Sequence, residues 1–200
     1  MVLIVMLFVA AFFCGNKMEA QAAGNYTIYV NRKTNLVNVV NSRTGKLVRA
    51  MYCSTGKGYS TIGGTFHTVS KMRWHALNHG VWGQYCTRIY GPYLFHSVWY
   101  YSTNKTQVST AEYNKLGSQA SAGCVRLAVV DAKWIYDKCP SGTKVVIYNS
   151  AKPGPLGKPK AIKVSGYSGW DPTDPDPANP YAKKKPSITG VKTKLSLIHI

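Results

Sequence analysis

The run Ser121-Ala122-Gly123-Cys124-Val125-Arg126-Leu127 is the segment best equipped for chemistry. A cysteine attacks as its thiolate, so it needs a base or a cation close by. Gly123 removes a side chain where a substrate carbonyl must approach and allows unusual backbone angles. With that freedom, amides near Cys124 can point at a developing oxyanion. Arg126 places a fixed cation two residues from the thiol, suited to favouring the thiolate or holding a substrate carboxylate. Taken alone, a Gly-Cys-x-Arg run is matched equally well by an ordinary buried cysteine. His96, in YLFHSV, changes the balance. An imidazole among apolar and aromatic neighbours is either a satisfied core histidine or a placed base. His96-Ser97 followed downstream by Ser-x-Gly-Cys-x-Arg makes the second reading specific: Cys124 as nucleophile and His96 as general base and acid.

Composition removes competing chemistries. The chain has 200 residues, a formal charge of +18 and only 7 acidic residues. Between residues 25 and 150 the carboxylates are Glu112, Asp131 and Asp137 alone. Glycosidases need two facing carboxylates, and calcium or magnesium sites need clusters of them. Such sites are poorly supplied here, which leaves thiols, imidazoles and hydroxyls as the available reactive groups. The charge calls for a polyanionic neighbour, either nucleic acid or an anionic cell wall. The apolar start MVLIVMLFVAAFFC, with small residues at Ala20, Ala22 and Ala23, reads as a signal peptide or N-terminal anchor over residues 1–23. Export favours wall polymers over nucleic acid. It also permits disulfides, so Cys53, Cys86 and Cys139 are read as spare buried thiols or as one pair plus a leftover.

The elements that must position these groups are mostly strands. TIYVN, LVNVVN and KLVRAMYCS form a meander of hairpins. The loop STGKGYSTIGG (54–64) has the glycines of tight turns, without the Lys-Ser/Thr pair of a phosphate loop. Thr65–Val69 reads as a strand, residues 70–92 as aromatic and irregular, and Tyr93–Val98 as the strand carrying His96. Residues 102–120 read as a loop or short helix. Asp131 is the expected cap of a helix running to about Lys138, with Val130, Trp134 and Ile135 inward. KVVIY (144–148) closes the domain. The fold class is mostly β, a sandwich or barrel with one or two short helices. Residues 151–200, rich in Pro and Lys, read as an extended, structureless tail.

The motif resembles that of the L,D-transpeptidases of bacterial cell walls: a His followed by Gly or Ser, a gap, then Ser/Thr-x-Gly-Cys-x-Arg. Residues 60–66 (STIGGTF) look like the family's Thr-Pro-x-Gly-x-Phe segment, and PSGTKVVIY (140–148) like its last strand, so the likeness covers about residues 25–150. Two departures stand out: Ala122 where the family often has His, and Ile62 where it usually has Pro. The resemblance implies a donor stem tetrapeptide of peptidoglycan attacked by Cys124 at its third, diamino-acid residue. D-Ala leaves, and the thioester passes to an acceptor amine. It implies no metal and no cofactor, a His oriented by backbone carbonyls, inhibition by carbapenem β-lactams, and a pocket shaped by Ser121, Gly123, Arg126, Ser97, Tyr93 and Trp82, with His79 a further wall candidate.

Two rival classes remain for comparison. A sortase-like anchoring enzyme also uses His, Cys and Arg, but with Thr-Leu-x-Thr-Cys and a distant Arg. A non-catalytic wall-binding module would need neither Cys124 nor His96.

Overall fold

A computed structural model describes residues 25–154, 157, 163–166 and 168–182. The apolar N-terminal run and the final basic stretch lie outside the described residues.

The first three strands are β1 (Tyr26–Asn31), β2 (Leu36–Asn41) and β3 (Leu47–Ser54). Their β-branched residues suit a pleated surface buried on at least one face: Ile28, Val30, Val37 and Val39 are fully buried. They pair antiparallel in sequence order, as expected of a meander. There follow β4 (Gly64–His67), β5 (Lys71–Ala76), β6 (Trp82–Tyr90) and β7 (Tyr93–Ser97). Next come β8 (Val108–Ser109) and α1 (Thr110–Tyr113), then β9 (Val125–Leu127), α2 (Val129–Lys138) and β10 (Lys144–Tyr148). A last short strand, β11 (Ser168–Gly169), pairs with β8.

One sheet runs β4-β10-β1-β2-β3-β9-β7-β6-β5. Two of its pairings are parallel, β1 with β10 and β7 with β9. The sheet curls until its two ends meet. Val69 N–H donates to the Arg88 carbonyl at 2.8 Å and Arg88 N–H to the Ser70 carbonyl at 2.8 Å. The Phe66 and Tyr90 rings lie 5.5 Å apart across the same junction. Inside the curl Phe95, Val125, Leu127, Ile135 and Met51 form one continuous core, which makes the two strands of the site a rigid floor.

Three sequence expectations change. Residues 70–92 are not irregular but form the β5–β6 hairpin. Asp131 does not cap α2, whose N-cap position is Ala128. Asp131 lies one turn in, fully buried, and takes two hydrogen bonds from Arg49 at 2.9 and 2.5 Å.

The capping is done from the Pro-rich segment. Asp171 Oδ2 accepts from Val129 N–H at 2.9 Å, and Thr173 Oγ1 accepts from Val130 N–H at 3.1 Å. These satisfy amides that a helix start leaves without partners. Asn179 donates to the Asp171 and Asp174 carbonyls at 3.0 and 2.8 Å and is buried along with both aspartates. Residues 171–182 are therefore folded onto the domain, unlike the structureless tail read from composition.

Candidate active site

The parallel pairing of β7 with β9 sets His96 opposite Arg126 and Phe95 opposite Val125. Cys124 is the residue just before β9, at the mouth of that pairing. Cys124 and His96 both line a cavity of about 450 Å³, together with Ser121, Gly123, Arg126 and Tyr93. Three further walls are His75 on β5, Arg88 on β6 and His79 on the turn between those strands.

His96 is 2 % exposed, and its Nδ1 lies 2.6 Å from the Ser97 carbonyl oxygen. A carbonyl only accepts, so Nδ1 carries the proton and Nε2 is left as the free base. Burial, reinforced by the Arg126 charge, pushes the imidazole down to about 3 even though the Ser97 carbonyl works the other way. Cys124 is half-buried, with Sγ 3.6 Å from the Pro92 carbonyl. Burial pushes its thiol above the ordinary value, opposed by the Leu94 backbone N–H and by Arg126 and Arg88. Both shifts favour uncharged forms.

The loop that carries Cys124 is held by side chains reaching backbone. Ser121 Oγ donates to the Cys124 carbonyl at 2.6 Å and accepts from Gly123 N–H at 3.0 Å. Gly123 has φ +155°, and a Cβ there would stand 2.9 Å from Tyr93 Cε1, so only glycine fits between the loop and that ring. The Gly-containing 54–64 loop braces it from below. Thr61 Oγ1, fully buried, accepts from Gly56 N–H and donates to the Gly123 carbonyl, both at 2.7 Å. Arg32 fixes Thr61 in turn, donating to its carbonyl at 2.6 Å. Gly56 is as constrained: an added Cβ would fall 2.5 Å from Thr61 N.

The sequence-expected residues thus separate. Tyr93 and His79 are cavity walls. Ser121 borders the cavity, but its hydroxyl is spent on the loop and it is 3 % exposed. The Gly123 amide, held by Ser121, is not free to meet an oxyanion. Arg126 lines the cavity while its guanidinium pairs with Glu112 on α1. That settles the place of Glu112: it partners the arginine, and Lys115 and Arg126 hold its carboxyl below the usual range against the upward pull of burial.

Ser97 and Trp82 are not in the cavity wall. The Ser97 hydroxyl is fully buried, accepting from Gln84 N–H at 2.9 Å and donating to the Val98 carbonyl at 2.8 Å. Only its carbonyl serves the site, through His96. Trp82 packs against the core, as an indole beside a strand does when it has apolar surface to cover. Thr61, Arg88 and Leu94 were not singled out from sequence. For Thr61 the signal was present in the STIGG run, but its partner is sixty residues away in the chain.

Cys53, Cys86 and Cys139 are buried free thiols. Burial pushes Cys86 and Cys139 up to about 12 and Cys53 higher still. Among the described residues no three His, Cys, Asp or Glu side chains converge as a metal site would require.

Comparison with known proteins agrees with this geometry. A Bacillus subtilis protein, YciB, provisionally named an L,D-transpeptidase, is 50% identical over 58 residues, 29% of each chain. The L,D-transpeptidase LdtMt1, solved in complex with imipenem, matches with a TM-score of 0.51 at 21% identity, covering 62% of this chain and 58% of that one. An L,D-transpeptidase of Mycobacterium smegmatis matches at 0.51 and 19% identity, with coverage of 62% and 58%. One from Stackebrandtia nassauensis matches at 0.50 and 22%, with 64% and 57%. These solved relatives share the mostly β fold. The matched stretch is under two thirds of each relative's own length. The model of the YkuD family, the L,D-transpeptidase catalytic domain, matches residues 25–147. With more than half of its length in that match, and with the His-Ser and Ser-Ala-Gly-Cys-Val-Arg segments on adjoining strands, the chain belongs to the L,D-transpeptidase catalytic domain family.

Proposed function

We propose that residues 25–150 act as a peptidoglycan L,D-transpeptidase with Cys124 and His96 as its catalytic pair. One observation carries the reading: a half-buried thiol and a histidine with its Nδ1 committed to a backbone carbonyl share one cavity, while every other described cysteine is sealed. In the acylation step Sγ bonds to the carbonyl carbon of the third residue of a donor stem, and Nε2 of His96 takes the thiol proton. The tetrahedral adduct collapses, the carbon–nitrogen bond to D-Ala breaks, and the imidazolium returns the proton to the departing amine. The side-chain amine of a second stem then attacks the thioester, His96 receives its proton, and the thiol is restored. Pairing with Glu112 holds Arg126 at the cavity edge, where it supports the loop.

The protein acts outside the cell in this reading. The apolar run of residues 1–23 serves as signal or anchor, and the charge of +18 holds the enzyme to anionic wall polymers. The imipenem complex of LdtMt1 supports a further expectation, that carbapenems acylate Cys124. The test is turnover: donor tetrapeptide and acceptor stem should yield free D-Ala and a cross-linked dimer with the wild type and neither with Cys124→Ala. Cross-linking by Cys124→Ala would defeat the proposal. Recovery of the intact precursor in the cytoplasm would defeat export.

A further inference from the structure

The cavity around Cys124 is unbalanced in charge. His75, His79, Arg88, His96 and Arg126 line it, and among the described residues no carboxylate does. Of the two arginines, Arg126 is neutralised from behind by Glu112. Arg88 has no such partner among the described residues. Its Nη1 donates to the Gly91 carbonyl, and its Nη2 lies 4.0 Å from the Met72 sulfur. A half-buried guanidinium with only a carbonyl and a thioether for company keeps N–H donors to spare, and a carboxylate is the ligand its planar fork suits best.

Position narrows the choice of carboxylate. Arg88 holds the Gly91 carbonyl, and the next carbonyl along, that of Pro92, is the one 3.6 Å from Cys124 Sγ. The cation is thus one peptide unit from the nucleophile's contact, and its charge reaches the thiol. An anion bound at Arg88 sits in the same cavity as the thiol, and a residue's own carboxylate follows the carbonyl before it by one residue, a span of roughly 3.5 Å along an extended chain.

On the transpeptidase reading given above, we infer that Arg88 is a specificity-determining residue that binds the free carboxylate of the departing amino acid. A donor ending in an amide has no charge to offer it.

The experiment compares acylation of Cys124 by a stem tetrapeptide and by the same peptide with a C-terminal amide, followed by intact-protein mass spectrometry. Wild type should acylate with the acid about 10–100-fold faster at subsaturating peptide, the usual worth of a charge-assisted bond. Arg88→Gln should lose most of that preference, and Arg88→Lys should keep part of it. Each ratio is internal to one enzyme, so loss of folded protein cancels. Equal rates for acid and amide in the wild type, or an undiminished preference in Arg88→Gln, would overturn the inference while leaving the transpeptidase reading intact. If neither peptide acylates an enzyme whose Cys124 still reacts with iodoacetamide, the transpeptidase reading falls, and this inference with it.

Discussion

The loop bearing Cys124 and the segment around Asp171 are built alike and serve differently. Each is irregular backbone held by short side chains bonding to main chain: Ser121 and Thr61 in one, Asp171, Thr173 and Asn179 in the other. At Asp171 every bond closes inward. Its carboxyl, pushed up to about 6 by burial, is used to finish the first turn of α2. At Cys124 the bonds go to the loop's backbone and leave the thiol facing a cavity beside His96. The same device makes a seal in one place and a presented thiol in the other. What separates them is exposure: the Asp171 carboxyl is sealed, whereas the thiol, though near the Pro92 carbonyl, still lines the cavity.

The largest effect should come from removing the atoms that are presented. Cys124→Ala should abolish acylation, and His96→Ala should slow it by roughly 10²–10⁴, as for other positioned bases; both are read from the single-turnover rate with a tetrapeptide donor. Next is Gly123→Ala. The φ of +155° and the Tyr93 ring leave no room for a Cβ, and a backbone strain of about 1–3 kcal/mol should cut acylation at least tenfold and lower the melting temperature by several degrees. An unimpaired Gly123→Ala enzyme would show that the loop is looser than its bonds imply.

Substitutions on the sealed side should invert that pattern. Asp171→Ala should destabilise the fold by about 0.5–2 kcal/mol, the worth of a helix cap, in urea unfolding, while the folded fraction acylates at the wild-type rate. A chain ended at residue 150 should lose at least as much stability, since Thr173 goes too. Cys139→Ser should leave acylation unchanged.

The smallest and sharpest test is pH dependence. With the imidazole held near 3 and the thiol above its ordinary value, little thiolate exists at neutral pH. Alkylation of Cys124 by iodoacetamide should then climb steadily from pH 6 upward, because thiolate appears only as pH approaches the raised value. A plateau between pH 5 and 8 would mean a thiolate–imidazolium pair at rest, contrary to both shifts.

Much of this was legible from residue types. The meander, the His96 strand, the closing strand and α2 follow from β-branched runs and apolar spacing, and the meeting of Cys124 and His96 in one cavity from Gly-Cys-x-Arg with an upstream His. The β5–β6 hairpin was not. Along Lys71–Ala76 no residue is buried, and along β6 the five consecutive residues 83–87 all are, Gln84 and Thr87 included, so neither strand shows a two-residue alternation. Capping by Asp171 was hidden for another reason: its partner amide lies far back in the chain, whereas Asp131 stood at the expected spacing. The roles given to Ser97 and Trp82 went astray because a hydroxyl or indole next to a site is as easily spent on the scaffold.

The central claim, that Cys124 is the acyl carrier and His96 its base, is tested most directly by peptide-mapping mass spectrometry after brief incubation with a stem tetrapeptide. The account predicts a single adduct, the donor less D-Ala, on Cys124 and strongly reduced in His96→Ala. An adduct on Cys53, Cys86 or Cys139, or equal labelling with and without His96, would contradict it.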